Sequence, residues 1–309
     1  MRIWGRDREQ IAALARDRVN ARYLPDATFP DNLVAVPELA DCVAGVRDVL
    51  ISVPSHGLRE TLTAVKPFLE PDARVCWATK GFELKTGRLP HEVAAEVLGQ
   101  NTSVAVLSGP TFAKEVGEGL LTAMTVAAND TEFANDLAAA LSNENFRAYT
   151  SDDMIGVEVG GAIKNVLAIG AGMSDGLGFG ANSRIALITR GLVEMTRLGI
   201  ALGAKKDTFM GLAGMGDLAL TCTDNLSRNR RMGLALAAGK TVEEAQEEIQ
   251  QVVEGVLAAK AVLEVAEKLD IEMPICHQVY RILYEGITPR DAVGALMRRG
   301  LKSENDTLG

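Results

Sequence analysis

Residues 156–184 read GVEVGGAIKNVLAIGAGMSDGLGFGANSR, and the division of the chain turns on this run. Ile155, Val159, Val166 and Ile169 recur at helical spacing, and Asp152 and Asp153 ahead of them make an acidic helix N-terminus. Lys164 stands inside that helix among Ala162, Ile163, Val166 and Leu167, with Gly160 and Gly161 one turn back and Ala168 one turn on. Such a lysine has two readings. Its stem can snorkel from a packed helix to water. Alternatively its ammonium is poorly solvated, open to close approach over the glycines, and lowered in pKa toward proton exchange near neutral pH. Other residues of the chain favour the second.

On either side of this run the pattern changes. Before it, short apolar strands are expected at 2–4, 48–53, 74–78, 103–107, 121–127 and 146–149, with helical spacing at 57–66 and 132–141. That alternation predicts an α/β layer with a largely parallel sheet. From Asp152 onward strand signals vanish, and 153–173, 183–203, 228–238, 241–268 and 274–285 all read as helices between Gly-containing turns. The expected organisation is an α/β domain over 1–150 followed by an all-α domain over 151–309, with the polar tail 302–309 frayed.

A chain of 309 residues with 47% hydrophobic and 24% charged residues has the balance of a soluble globular protein. Apolar runs such as 103–107 and 166–173 are short for a bilayer, and the opening MRIWGRDREQ lacks signal-peptide grammar. A net charge of −9 argues against a general binder of nucleic acid or acidic membranes, and makes a local basic cluster stand out. Cys42, Cys76, Cys222 and Cys276, with His56, His91 and His277, fit no metal or redox spacing. The expectation is a reduced, cytoplasmic protein without a metal, whose apolar helices leave room for a homodimer.

In open α/β sheets ligands bind beyond the carboxyl ends of the strands. Here those ends carry Arg6-Asp7, Pro54-Ser55-His56, Thr79-Lys80-Gly81 and Ser108-Gly109-Pro110-Thr111, a set of cations, hydroxyls and flexible backbone suited to an anion. Arg6 is placed to read a 2′-phosphate of a dinucleotide and Asp7 a 2′-hydroxyl; with the arginine first, the pair leans toward NADP. His56 reads as structural. A second basic cluster, Ser227-Arg228-Asn229-Arg230-Arg231, follows the polar run 221–225, which reads as loop. Ser227 is expected to cap a helix whose first turn, with Arg228 and Asn229, forms a phosphate site, while Arg230 and Arg231 read as solvated. Asp217 lies upstream, placed to orient an ammonium such as that of Lys164.

With these residues assembled, the chain resembles the bacterial NAD(P)-dependent glycerol-3-phosphate dehydrogenases. The resemblance runs from about Trp4 to Arg299 and rests on WATKG at 77–81, SGPTFAKE at 108–115, GGAIKNVLAIGAGMSDGLGFGANSRIALITRG at 160–191, GMGDLALTCTDNLSRNRR at 214–231 and VVEG at 252–255. It implies a Rossmann-like, doubly wound sheet followed by a helical substrate domain. It also implies interconversion of sn-glycerol 3-phosphate and dihydroxyacetone phosphate with NAD or NADP, for phospholipid synthesis. By position, Lys164 matches the proton donor and acceptor, with Lys80 at the developing alkoxide and Asp217 orienting the lysines. Lys80, Gly109, Thr111, Lys164, Asp217, Ser227, Arg228 and Asn229 match positions that contact substrate. Arg6, Lys80, Ala113, Arg228, Val252 and Glu254 match positions that contact the cofactor.

The match departs at one place. The family begins with a strand, a Gly-rich turn and a helix ahead of the WGRD segment, whereas Met1-Arg2-Ile3-Trp4 aligns with the second strand. Gly170–Gly172 and the 214–219 glycines neither follow a strand nor open a βαβ unit, so they do not substitute. The first βα unit supplies a central strand and the N–H cradle for a pyrophosphate. Its absence predicts a marginal first domain and weak cofactor binding, with Met1 standing for an internal start codon. Two other readings compete: a hydroxy-acid dehydrogenase, disfavoured by the phosphate cluster, and a non-catalytic phosphate-binding or assembly relative, disfavoured by a desolvated Lys164. Dihydroxyacetone-phosphate-dependent NAD(P)H oxidation is therefore expected from a chain extended upstream by a Gly-rich βα unit, and weakly or not at all from the 309-residue chain. Equal activity in both would show that Arg6, Lys80 and the helical part hold the cofactor without that loop.

Overall fold

The computed structural model describes residues 1–300 and Ser303; apart from Ser303, the tail 302–309 lies outside the described residues. The first half contains strands β1 (Arg2–Ile3), β2 (Val19–Asn20), β3 (Leu24–Thr28), β4 (Val34–Ala35), β5 (Asp48–Ile51), β6 (Arg74–Trp77), β7 (Val104–Ser108), β8 (Thr122–Ala128) and β9 (Phe146–Ser151). Between them run helices α1 (Arg8–Asp17), α2 (Leu39–Val43), α3 (Leu58–Val65), α4 (Pro90–Leu98), α5 (Ala113–Gly117) and α6 (Thr131–Leu141). The second half is helical: α7 (Met154–Gly176), α8 (Gly180–Ala201), α9 (Asp217–Thr223), α10 (Arg228–Ala237), α11 (Val242–Ile249), α12 (Glu254–Lys268), α13 (Pro274–Glu285) and α14 (Pro289–Met297).

β5 to β9 form one sheet in spatial order, parallel except for the antiparallel β7–β8 pair. Every residue of β6 and β7 is buried, as central strands covered on both faces require. Their side chains alternate between two cores. Val75, Trp77, Val104 and Val106 meet Leu58 and Leu62 of α3 and Val93 of α4, while Cys76, Ala105 and Leu107 meet Phe133 and Leu137 of α6. Helices thus wind both faces, the Rossmann-like arrangement.

β1 and β4 pair in parallel as a separate two-stranded ribbon, over a small core of Ile11, Leu14 and Ala35. Among the described residues β5 bonds only to β6, and Leu50 in its middle is 53% exposed. Sequence patterning missed the β2–β3 pair, whose LPDAT strand carries Pro and Asp, and two-residue β4, too short for any period. It also missed α1, α4, α5 and α14, each shorter than three full turns.

α7 is buried from Gly156 to Ser174 without an exposed face, and α8, α9, α10, α12 and α13 pack around it. By length and hydropathy α7 would cross a membrane, contrary to the reading of short apolar runs, but 89% of its apolar window is buried inside the protein. Glycine lets its neighbours come close. A Cβ on Gly172 would lie 2.0 Å from the Arg230 carbonyl oxygen of α10, and one on Gly160 would lie 2.5 Å from the Ala213 carbonyl oxygen. Ala213 belongs to a π-helical turn, Leu212–Gly216, that delivers the chain to Asp217.

Two expectations need correction. The single helix over 241–268 is broken, because Gln250 adopts a left-handed conformation that ends α11 before α12 starts at Glu254. The polar run 221–225 is in part helix: Thr221 and Cys222 are buried in α9, where the Thr221 hydroxyl bonds back to the Asp217 carbonyl and so buries without an unmet donor, while the exposed Thr223 hydroxyl bonds the Ala219 carbonyl.

Gly172→Ala is expected to force α10 off α7 and destabilise the protein by roughly 3 kcal/mol or more, since backbone cannot yield as a side chain can. A thermal melt unchanged from the parent would contradict the packing described.

Candidate active site between the sheet and the central helix

Three elements meet at the carboxyl ends of β6 and β7. Lys80 follows β6, Lys164 sits in the third turn of α7, and Asp217 opens α9. Asp217, whose side chain is 2% exposed, accepts from Lys80 Nζ at Oδ2 (2.7 Å) and from Lys164 Nζ at Oδ1. Lys164 Nζ, 8% exposed, also donates to Thr221 Oγ1 at 3.1 Å, and that hydroxyl donates to the Asp217 carbonyl at 2.6 Å. Thr221 is one helical turn after Asp217, so α9 presents both on one face. Lys164 does not snorkel. It is buried.

Two ammoniums share one carboxylate, and this sets their proton affinities. Burial is the largest influence on Lys164, reinforced by the Lys80 charge; Asp217 opposes both incompletely, and the pKa falls to about 8. Burial also disfavours the charged Lys80, but Asp217 outweighs it and holds that pKa above the usual lysine value. Asp217 would be raised by burial alone, yet the two lysines keep its carboxyl below the ordinary range. The site therefore holds a permanently charged Lys80 beside a Lys164 poised near neutrality.

The phosphate candidates adjoin this cluster. Ser227 caps α10, its hydroxyl accepting from the Arg230 N–H at 3.2 Å. Asn229 donates to Asn165 Oδ1 at 2.9 Å and accepts from the Gly255 N–H at 2.9 Å, tying α10 to the residue after Lys164 and to the start of α12. Arg228 is exposed at the mouth. Burial raises the pKa of Glu254, and the charges of Arg228, Lys80 and Lys164 pull it back down. Gly109 and Thr111 lie beyond β7, with the Thr111 hydroxyl on the Gly109 carbonyl at 3.2 Å.

Other candidates stand apart. Arg6 is exposed after β1 and its charged contact is Glu60 at 4.0 Å, outside the cluster. Val252 is exposed ahead of α12, and Ala113 is exposed at the start of α5. Arg230 overturns its solvated reading: it is buried, donating to the Cys222 carbonyl (3.1 Å), Asn225 and Asp175 (2.5 Å), because the close α7–α10 crossing encloses it. Asn165 and Thr221 were missed. The signal for Asn165 was its place beside Lys164; for Thr221 it was the four-residue step from Asp217.

The chain matches the family model for the NAD-dependent glycerol-3-phosphate dehydrogenase N-terminus over residues 1–134 and the C-terminus model over 153–294. It is 55% identical over 303 residues to the glycerol-3-phosphate dehydrogenase [NAD(P)+] of Tolumonas auensis, covering 98% of this chain and 91% of the relative. A crystal structure of the Coxiella burnetii glycerol-3-phosphate dehydrogenase superposes with a TM-score of 0.93 at 48% identity, covering 96% of this chain and 91% of that one. The Saccharomyces cerevisiae enzyme superposes with a TM-score of 0.82 at 27% identity, covering 96% and 90%.

Asp217→Asn leaves both lysines without a counter-charge. The Lys164 pKa is expected to drop further below 8, measurable by NMR titration of the lysine side chains; an unmoved or raised value would show that Asp217 is not the controlling charge.

Proposed function

Because the chain belongs to the NAD-dependent glycerol-3-phosphate dehydrogenase family, we propose that its Lys164–Asp217–Lys80 cluster performs the proton transfer of that reaction. The protein interconverts sn-glycerol 3-phosphate and dihydroxyacetone phosphate with NAD(P), the step that supplies the glycerol backbone for phospholipids. The single observation that carries the residue assignment is the buried Lys164, held between Asp217 and Thr221 with its pKa lowered to about 8.

In the reducing direction the protonated Lys164 delivers a proton to the C2 oxygen, and the charged Lys80 stabilises the alkoxide as it forms. Asp217 fixes both ammoniums and offsets part of their repulsion. In the oxidising direction neutral Lys164 takes the hydroxyl proton. Ser227, Arg228, Asn229 and the free N–H groups of α10 hold the phosphate, and Gly109 and Thr111 close the site from β7. The nicotinamide cofactor, when bound, supplies or accepts the hydride.

The residues present fit that cofactor. Among the described residues Ser108 Oγ is buried beside Lys80 and Gly161 with no hydrogen-bond partner, and the charges of Arg228, Lys80 and Lys164 act on the buried Glu254 carboxyl. Lys80, Ala113, Arg228, Val252 and Glu254 would hold its redox end and Arg6 its adenosine end, Arg6 favouring NADP. The reading divides the chain at 150 into cofactor and substrate domains. It also places the enzyme in the cytoplasm, supported by four unpaired cysteines, and pairs two copies through exposed apolar side chains of α8 such as Ile185.

Opposite pH dependences test the assignment. Reduction needs protonated Lys164, so kcat/KM for dihydroxyacetone phosphate should fall as pH rises through about 8. Oxidation needs the neutral amine and should rise over the same interval. Lys164→Met should remove both activities, by roughly 100-fold or more for a lost general acid–base. A variant retaining either profile would reassign the proton transfer.

A further inference from the structure

Lys80 lies on a segment, 77–91, that leaves the sheet after β6, crosses to the helical half and returns in α4. Phe82 and Leu89 of this segment are buried in the same core as Val159 and Ile163 of α7. Both ends of the segment reach one carboxylate. Trp77 Nε1 donates to Glu158 Oε1 at 3.1 Å, the His91 N–H donates to the same oxygen at 3.0 Å, and His91 Nδ1 meets Glu158 Oε2 at 2.6 Å. Glu158 belongs to α7, its side chain is 0% exposed, and none of the proposed chemistry uses it. The His91 ring is 27% exposed, so it exchanges protons with solvent while its partner does not.

We infer that Glu158 and His91 form a proton-sensitive clamp that positions Lys80 against Lys164 and Asp217. The clamp acts through placement. Trp77 is three residues before Lys80, and Gly161, one turn after Glu158, has the Lys80 stem beside it, a Cβ there lying 3.3 Å from Lys80 Cγ. The Glu158 bonds fix Trp77 and His91 to α7, and the Lys80–Asp217 bond fixes the residues just after β6 to α9, so Lys80 is held between two anchors. Misplacing a charge-stabilising group by about 1 Å can lower a rate by orders of magnitude, so a loosened clamp is read in kcat before it is read in binding.

The sign of its pH response follows from the charges. Burial favours the uncharged ring, but Glu158, aided by Glu92 on α4, outweighs it and raises the His91 pKa above its ordinary value. Burial likewise raises the pKa of Glu158, against His91 and the Trp77 and His91 N–H groups. β6 contributes only the neutral Trp77 indole. The ion pair needs ionised Glu158 and protonated His91, so it is lost as pH falls through the raised Glu158 pKa and again as pH rises through the raised His91 pKa; on the alkaline side the clamp loosens.

The inference rests on the proposed role of Lys80, and the experiment separates the two. Initial rates with dihydroxyacetone phosphate and NAD(P)H would be measured from pH 6 to 9, with melting temperatures, for the parent, Glu158→Gln, Glu158→Ala, His91→Asn, Lys80→Met and Lys80→Met/Glu158→Ala. Glu158→Ala should lower kcat about tenfold with KM changed less than about threefold. Glu158→Gln, which still accepts the Trp77 and His91 N–H groups, should recover most of that loss. Glu158→Gln and His91→Asn should both abolish one step of the kcat profile and leave the Lys164 step. In the Lys80→Met background, Glu158→Ala should have little further effect. Profiles of Glu158→Gln and His91→Asn that superpose on the parent would overturn the clamp, as would full additivity with Lys80→Met. A harmless Lys80→Met would instead overturn the role of Lys80 itself.

Discussion

The site depends on one buried carboxylate shared by two lysines. Asp217 is almost wholly enclosed, and so is Lys164; neither charge would be tolerated there alone. Breaking such a buried pair by removing one partner costs about 3–5 kcal/mol. The balance is incomplete, since two ammoniums face one carboxylate, and in the proposed mechanism the excess positive charge stabilises the alkoxide. That excess lowers the Lys164 pKa while Lys80 stays charged. One arrangement thus yields both a proton-exchanging group and a fixed cation.

Holding Asp217 there is a packing problem, solved by small residues in α7. Gly160 admits the Ala213 carbonyl, which sets the π-helical turn, and the turn sets the start of α9. Gly172 admits the α10 backbone, which brings Asn229 to Asn165. The central helix is a surface against which the site's parts are docked at backbone distance. Larger side chains would separate Asp217 and Asn229 from Lys164 without touching any of the three.

Much of this was legible in the sequence. Lys164 among apolar residues and beside glycines allowed either a snorkelling or a desolvated amine until Lys80, Asp217 and the SRN run were set beside it, whereas the SRN run after a polar stretch signals a capped basic helix end by itself. The buried strands β6 and β7 were legible because continuous apolar runs have few other uses. Thr221 was hidden because a polar TCTDN run looks like loop unless its hydroxyls are known to bond back to the helix. Arg230 was misread because its burial depends on the α7–α10 crossing, a tertiary fact. The strand at β1 was legible, but two-residue β4 carries too little sequence for any period, so the ribbon the two form is visible only in three dimensions.

The two halves of the site stand on unequal foundations. Lys80, Gly109 and Thr111 follow strands whose every residue is buried, and Lys164, Asp217 and Asn229 belong to the core around α7. Arg6 follows a two-residue strand in a ribbon over a small buried core of Ile11, Leu14 and Ala35, and among the described residues no strand pairing joins that ribbon to the main sheet. Local stability follows buried contact and paired backbone. The groups proposed for proton transfer, together with Asn229, are therefore held rigidly, while Arg6, proposed for the cofactor's adenosine end, is held loosely. On the proposed assignment, substrate geometry and cofactor choice are separable: changes around the β1–β4 ribbon would act on the second and leave the first in place.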